Sequence, residues 1–194
     1  MKNYNKKYNS LQGKFIISSP NMNDTVFKKS LIYIISDNED GSMGIIINKP
    51  ALKVKVSSLL GKDIKGLKNL PKIYYGGPVE LDKSFILHTG DNKNYKNRIK
   101  LDNELMLSND LSTIEEIILG NGPGKSLLTI GYTGWASFQL HEELRKNDWL
   151  ELDLDTSIIF TDNYQNKWDQ AISKLGINKK LLKHAIFTNY TGLA

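Results

Sequence analysis

The sequence predicts an α/β protein of α+β character: one compact domain holding a mixed, largely antiparallel sheet with helices packed against it. Three observations carry this. Apolar runs of strand length outnumber helical patterns. Several of those runs are joined by loops of hairpin length rich in turn residues. The strands do not alternate regularly with helices, as a doubly wound parallel sheet requires.

The first strand is predicted at 15–17 (FII), followed by a single turn of helix over 24–27 with Asp24 as its cap. Residues 31–35 (LIYII) and 44–47 (GIII) are continuous apolar runs, the pattern of strands covered on both faces. Residues 37–41 (DNEDG) put turn chemistry between them, so the pair reads as a hairpin. A lysine-rich excursion between Pro50 and Pro71 holds a short helix at 56–60. Strands follow at 73–75, 85–88, 99–101 and 104–107. A helix over 110–119 carries Leu111, Ile114, Ile117 and Ile118 on one face, with Ser112 and Glu115 as a capping box and Gly120 as its stop. A strand at 126–132 precedes a helix at 137–146. Residues 149–155 (WLELDLD) alternate with period two, which turns Leu150, Leu152 and Leu154 inward and Glu151, Asp153 and Asp155 outward. Another strand is predicted at 157–160. In the last clear helix Trp168, Ala171, Ile172 and Leu175 recur at i, i+3, i+4 and i+7. Gly176 stops it, and Asn178 caps a short final helix through Ala185.

Residues 11–194 read as a single domain and residues 1–10 as a polar tail, which lacks the apolar stretch of a secretory signal. A chain of 194 residues with 40% hydrophobic and 24% charged content has the makings of a sizeable core. No stretch is apolar for long enough to cross a bilayer, so membrane insertion is not expected. Cysteine is absent, which excludes disulfides, thiolate metal sites and a cysteine nucleophile and points to the cytoplasm. The net charge of +5 is uneven: residues 1–100 hold 18 Lys+Arg against 8 Asp+Glu, and residues 101–194 hold 8 against 13. Lys53, Lys55, Lys62, Lys65, Lys68 and Lys72 could therefore contact nucleic acid. Only Arg98 and Arg145 are arginines, however, whereas bidentate recognition of phosphate or guanine favours arginine. A solvated lysine surface is the simpler reading.

Residues 120–126 (GNGPGKS) resemble a phosphate loop but fail its spacing by one residue and follow a helix where the motif follows a strand. His88, His141 and His184 form no metal-binding pair. His88, at a strand end close to Gly76 and Gly77, is the candidate for acid–base chemistry; the competing role is to tie down a turn. His141, beside Glu142 on a helix, is expected to face solvent. Ser84, Ser137 and Ser157 lack a nucleophile-elbow context. Glu151, Asp153 and Asp155 could hold a hard cation, but a row of this kind more often protects a sheet edge, so no metal is assigned. Asn48, Gly76, Gly77, Trp135 and Gln139 are the candidate ligand-binding residues. Amides offer donors and acceptors, paired glycines expose backbone N–H groups, and an indole offers a flat wall. Asn48 could equally fix a turn and Trp135 cap the core.

Three glycine-centred segments stand out: 41–50 (GSMGIIINKP), 73–80 (IYYGGPVE) and 130–135 (IGYTGW). Together with 11–15 (LQGKF), 20–24 (PNMND), 85–88 (FILH), Gln139, Leu140, Trp149, Leu150, Trp168 and 175–177 (LGI), they occur in an order that resembles the AlgH/YqgE family of bacterial proteins. The likeness runs over nearly the whole chain. It implies a branched, mixed sheet, no established catalytic activity, and one functional lead, a link to transcriptional control; no cofactor is expected. No helix-turn-helix supports direct DNA reading. Lys49 stands where the family has arginine, Phe138 where it has glycine, and His141 where it has glutamate. The leading expectation is a non-enzymatic binding or regulatory protein taking an unidentified small molecule or protein at a cleft near Gly76, Gly77 and Trp135. An enzyme using His88 is the alternative, and lysine-mediated nucleic-acid binding the second alternative.

Overall fold

The structure is a computed structural model that describes residues 8–64, 70–90, 98–102 and 104–177. β1 (Phe15–Ser18), β2 (Leu31–Asn38) and β3 (Gly41–Ile46) are consecutive antiparallel neighbours. The expected hairpin joins β2 to β3; in its turn Asn38 Oδ1 accepts from the Asp40 amide at 2.9 Å. Their continuous apolar sequence follows from being covered twice. Residues Phe15, Ile17, Leu31, Tyr33 and Ile45 pack on one side against Trp168, Ala171 and Ile172. The intervening Ile16, Ile32, Ile34 and Ile46 pack on the other side with Trp135, Leu140 and Trp149. Each fully buried isoleucine contributes about 1.5–3 kcal/mol.

The sheet continues through β4 (Ile73–Tyr75), β5 (Val79–Thr89), β6 (Arg98–Lys100), β7 (Leu105–Ser108), β8 (Ser126–Ala136) and β9 (Trp149–Leu152). Its strand order is β6-β7-β5-β8-β3-β2-β1-β9, with β4 off this path and paired to β8. β4 and β8 run parallel, and the other strand pairs run antiparallel. The mixed, largely antiparallel and branched sheet is thus present, in one compact α+β domain. The branch sits midway along β8. Leu128–Ile130 pair with β4, and Thr133–Ala136 pair with β3. Gly76 carries the chain across the handover: its N–H donates to Ile130 O and its carbonyl accepts from Ile46 N, both at 2.8 Å.

Five helices complete the described chain: α1 (Val56–Leu60), α2 (Leu111–Ile118), α3 (Gln139–Arg145), α4 (Thr156–Ile159) and α5 (Tyr164–Lys174). α1 and α2 contribute Val56, Ile114 and Ile118 to a third apolar cluster with Ile73, Ile86, Leu128 and Ile130.

Several sequence expectations give way. Residues 157–160, expected as a strand, belong mostly to α4. The Asp155 carboxylate caps that helix by accepting from Ser157 N at 3.0 Å, so a local cap overrides the β-branched composition. The cap of α2 is Asp110, accepting from Ser112 N at 2.9 Å, and not a Ser112–Glu115 box. Residues 24–27 form a hydrogen-bonded turn and not a regular helix, although Asp24 caps it as expected: its Oδ1 accepts from Val26 N at 2.7 Å and Phe27 N at 3.1 Å, and a further turn through left-handed Lys29 (φ 54°) closes with Ser30 N donating to Phe27 O at 2.9 Å. At the end of the stretch read as a polar tail, Tyr8 donates to Asp37 Oδ1 at 2.7 Å and Ser10 to Asp37 O at 2.8 Å. The helix expected from Asn178 to Ala185 lies outside the described residues.

Candidate functional site

The end of β8 and the helix after it build a hydrogen-bonded polar cluster around a recess. β8 delivers Trp135 to the inner face, 7% exposed. Phe138, in the left-handed region at φ 57°, reverses the chain into α3. Gln139 closes this reversal, its Oε1 accepting from Ala136 N at 3.0 Å. One helical turn on, Glu143 lies on the same face, as the i, i+4 spacing dictates. Its Oε1 accepts from Gln139 Nε2 at 2.8 Å. Its Oε2 accepts from two indoles, Trp135 Nε1 at 2.9 Å and Trp149 Nε1 at 2.7 Å. The two indoles meet edge to face with centroids 5.8 Å apart, and Phe27 meets Trp149 the same way at 5.6 Å.

These groups border an open recess of about 420 Å³ with Asp24, Thr133 and Asp148. Its aromatic wall is fixed before any ligand arrives, and its carboxylates accept hydrogen bonds. Glu143 already receives three donors, so this geometry favours holding a molecule over removing a proton from one.

The sequence-predicted candidates divide. Trp135 and Gln139 border the recess. Asn48 is 8% exposed and splices the start of β2, its Oδ1 accepting from Leu31 N and its Nδ2 donating to Lys29 O, each at 2.8 Å. Gly76 and Gly77 are buried against the backbone of β8, where a β-carbon on Gly76 would lie 2.2 Å from Gly131 O. These three shape the sheet and do not border the recess.

His88 is fully buried. Its Nδ1 donates to Thr89 O at 2.9 Å, which fixes the tautomer so that Nε2 accepts from Ser108 Oγ at 2.9 Å. It ties β5 to β7, a bonding role between strands where the competing expectation was a tied-down turn. His141 faces solvent only in part. Its Nε2 lies 3.3 Å from Asp37 Oδ2 and 3.1 Å from the Tyr8 hydroxyl. Burial pushes the Asp37 carboxyl up, but the Ser42 hydroxyl, the Leu11 amide, Tyr8 and His141 outweigh it and hold the group below the usual carboxylate range. His184 lies outside the described residues.

Glu151 and Asp153 both pair with Lys14, and Asp155 pairs with Lys174. Among the described residues no group of three or more histidines and carboxylates could hold a metal ion. Of the lysines considered for nucleic acid, Lys62 pairs with Glu115 and Lys72 with Asp162, Lys53 and Lys55 are exposed, and Lys65 and Lys68 lie outside the described residues. The sequence reading missed the roles of Glu143, Asp37 and Lys167. The i, i+4 spacing of Gln139 and Glu143 could have marked the first.

Fold and site together define a single-domain α+β protein with a branched sheet and a preformed aromatic recess. Residues 15–180 match the AlgH-like family, DUF179. A UPF0301 protein of Rickettsia canadensis is 38% identical over 179 residues, covering 90% of this chain and 93% of that protein. A UPF0301 protein of Bradyrhizobium is 33% identical over 185 residues, covering 90% and 86%. The solution structure of the AlgH protein from Pseudomonas aeruginosa superposes with a TM-score of 0.76 at 33% identity, over 94% of this chain and 97% of that one. A crystal structure from Corynebacterium diphtheriae shares the fold, with a TM-score of 0.67 at 21% identity over 84% and 85% of the two chains. The chain belongs to the AlgH-like family.

Proposed function

We propose that this AlgH-like chain is a non-enzymatic binding or regulatory protein of the cytoplasm that takes a small molecule in the recess beside Trp135. The observation that carries the reading is the anchoring of two indoles and one amide on the single carboxylate of Glu143. That arrangement holds an aromatic wall rigid and leaves Asp24 and Asp148 as further acceptors around the opening. A flat, donor-bearing ligand suits it. Any part in transcriptional control would run through that ligand or a protein partner, since two of the four described lysines considered for nucleic acid, Lys62 and Lys72, are already ion-paired.

Native mass spectrometry of protein purified from its own host tests this. The wild-type chain is expected to retain a small-molecule mass that the exposed-site variant Gln139→Ala loses. A bare chain mass, together with tryptophan emission that does not respond to the host's small-molecule extract, overturns the reading.

A further inference from the structure

Lys167 sits on the core-facing side of α5, in the series Tyr164, Lys167, Trp168, Ala171, Ile172 and Leu175 at i, i+3, i+4, i+7, i+8 and i+11. It is fully buried. Its Nζ donates to Ile47 O at 3.0 Å and to Ile159 O at 2.5 Å, and lies 5.2 Å from the centroid of the Tyr74 ring. None of these partners carries a negative charge. Burying an ammonium without a counter-charge is costly. A neutral amine has two N–H groups, which match the two carbonyls, and leaves its lone pair unused. Burial accordingly draws this amine down to about 8, with Lys72 adding to the effect and Asp162 opposing it.

Lys167 borders a cavity of about 260 Å³ with Tyr74, Ser126, Thr161 and the exposed pair Lys72–Asp162, whose charged atoms are 2.8 Å apart. That volume falls below the usual range for drug-sized ligands, so only a compound of a few heavy atoms fits. A desolvated amine beside a small polar cavity is suited to attack a carbonyl carbon.

We propose that Lys167 is a nucleophilic amine that captures small aldehydes or α-oxo acids in this cavity as a reversible imine. The Nζ lone pair bonds to the carbonyl carbon, and the C=O π pair moves onto oxygen. Transfer of one N–H proton to that oxygen gives a carbinolamine. Its hydroxyl leaves with the second N–H proton as water, and the C=N bond forms. Nothing is oxidised or reduced, and hydrolysis returns the amine and the carbonyl compound. The capture lies at a different place from the Trp135 recess and does not depend on it.

The test is to incubate the intact folded chain at pH 7.5 with glyoxylate or propionaldehyde and cyanoborohydride, then map the modified lysines by mass spectrometry. Lys167 is expected to be modified several-fold faster than the exposed Lys53 and Lys55, at a rate that saturates with probe concentration and rises with pH through about 8. Faster labelling by glyoxylate assigns the oxo acids, and faster labelling by propionaldehyde the neutral aldehydes. Modification of Lys53 and Lys55 with Lys167 untouched, or of Lys167 only in denaturant, overturns the proposal. Lys167→Met should lose this one label while keeping the others; if that variant does not fold, labelling of the wild-type chain still decides.

Discussion

Gly77 and Tyr132 stand closer than any side chain permits: a β-carbon built on Gly77 would lie 2.2 Å from both the carbonyl carbon and the carbonyl oxygen of Tyr132. Gly77 has φ +151°, and Gly131, at φ +67°, approaches it from the other strand. Their contact lies where one edge of β8 passes from β4 to β3. The glycines of segments 73–80 and 130–135 therefore let two backbones meet at the fork of the sheet.

Gly77→Ala should consequently destabilise the fold by about 3 kcal/mol or more, since backbone atoms on a paired strand cannot give way. Gly61→Ala is the comparison. Gly61 shares a positive φ, +63°, but a β-carbon there meets nothing within 4 Å. It should cost only about 1 kcal/mol. Urea midpoints of the two variants measure the difference, and equal losses would refute the close-approach argument.

Much of this fold was legible in the sequence because its strands are covered on both faces. An uninterrupted apolar run such as 31–35 has few alternatives to a central strand, and the turn at 37–41 settles its partner. The short helix α4 was not legible. Ile158 and Ile159 have strand propensity, and only the distant surface that buries them both makes the Asp155 cap decisive. The site was legible by residue type and not by place. Trp135 and Gln139 were visible as recognition groups, but Asn48, Gly76 and Gly77 carry the same chemistry while serving the backbone. Sequence spacing does not reveal which donor is already spent.

Glu143 offers a second measurement. Glu143→Ala leaves the buried indole N–H groups of Trp135 and Trp149 without their acceptor. An unsatisfied buried donor costs about 1–3 kcal/mol. Glu143→Gln keeps a carbonyl oxygen for the indoles and should recover part of that loss. Thermal unfolding reports the stabilities, and tryptophan emission should shift to longer wavelength in Glu143→Ala but little in Glu143→Gln. An unchanged Glu143→Ala spectrum would show that the carboxylate does not organise the wall.

Asp37 predicts behaviour in acid. Its carboxyl titrates below the normal range in the folded chain, because the Ser42, Leu11 and Tyr8 hydrogen bonds and the electrostatic influence of His141 together outweigh burial. The unfolded chain then binds a proton at higher pH than the folded one does. The contribution of Asp37 is therefore complete above pH 4 and is lost as pH falls through the folded value. Asp37→Asn should be less stable by about 1–3 kcal/mol at pH 7, and its deficit should shrink at pH 3. A deficit equal at both pH values would mean that the charge of Asp37 is immaterial.

Alkaline solution probes Lys167. The folded amine titrates at about 8, and an unfolded lysine near 10.4. Between those values the unfolded chain binds more protons than the folded one, so stability rises with pH, by up to about 3 kcal/mol for this group. Lys49, also lowered by burial, acts in the same direction. Tyr33 and Tyr8 act oppositely. Burial raises both phenols, so above pH 10 the unfolded chain loses protons that the folded chain keeps, and stability falls. The urea midpoint should therefore climb from pH 7.5 to about 9.5 and then drop. In Lys167→Met most of the climb should disappear while the drop remains. A wild-type midpoint that stays level from pH 7.5 to 9.5 would mean that the folded chain holds the Lys167 ammonium as readily as water does, which the two uncharged carbonyls around it should not allow.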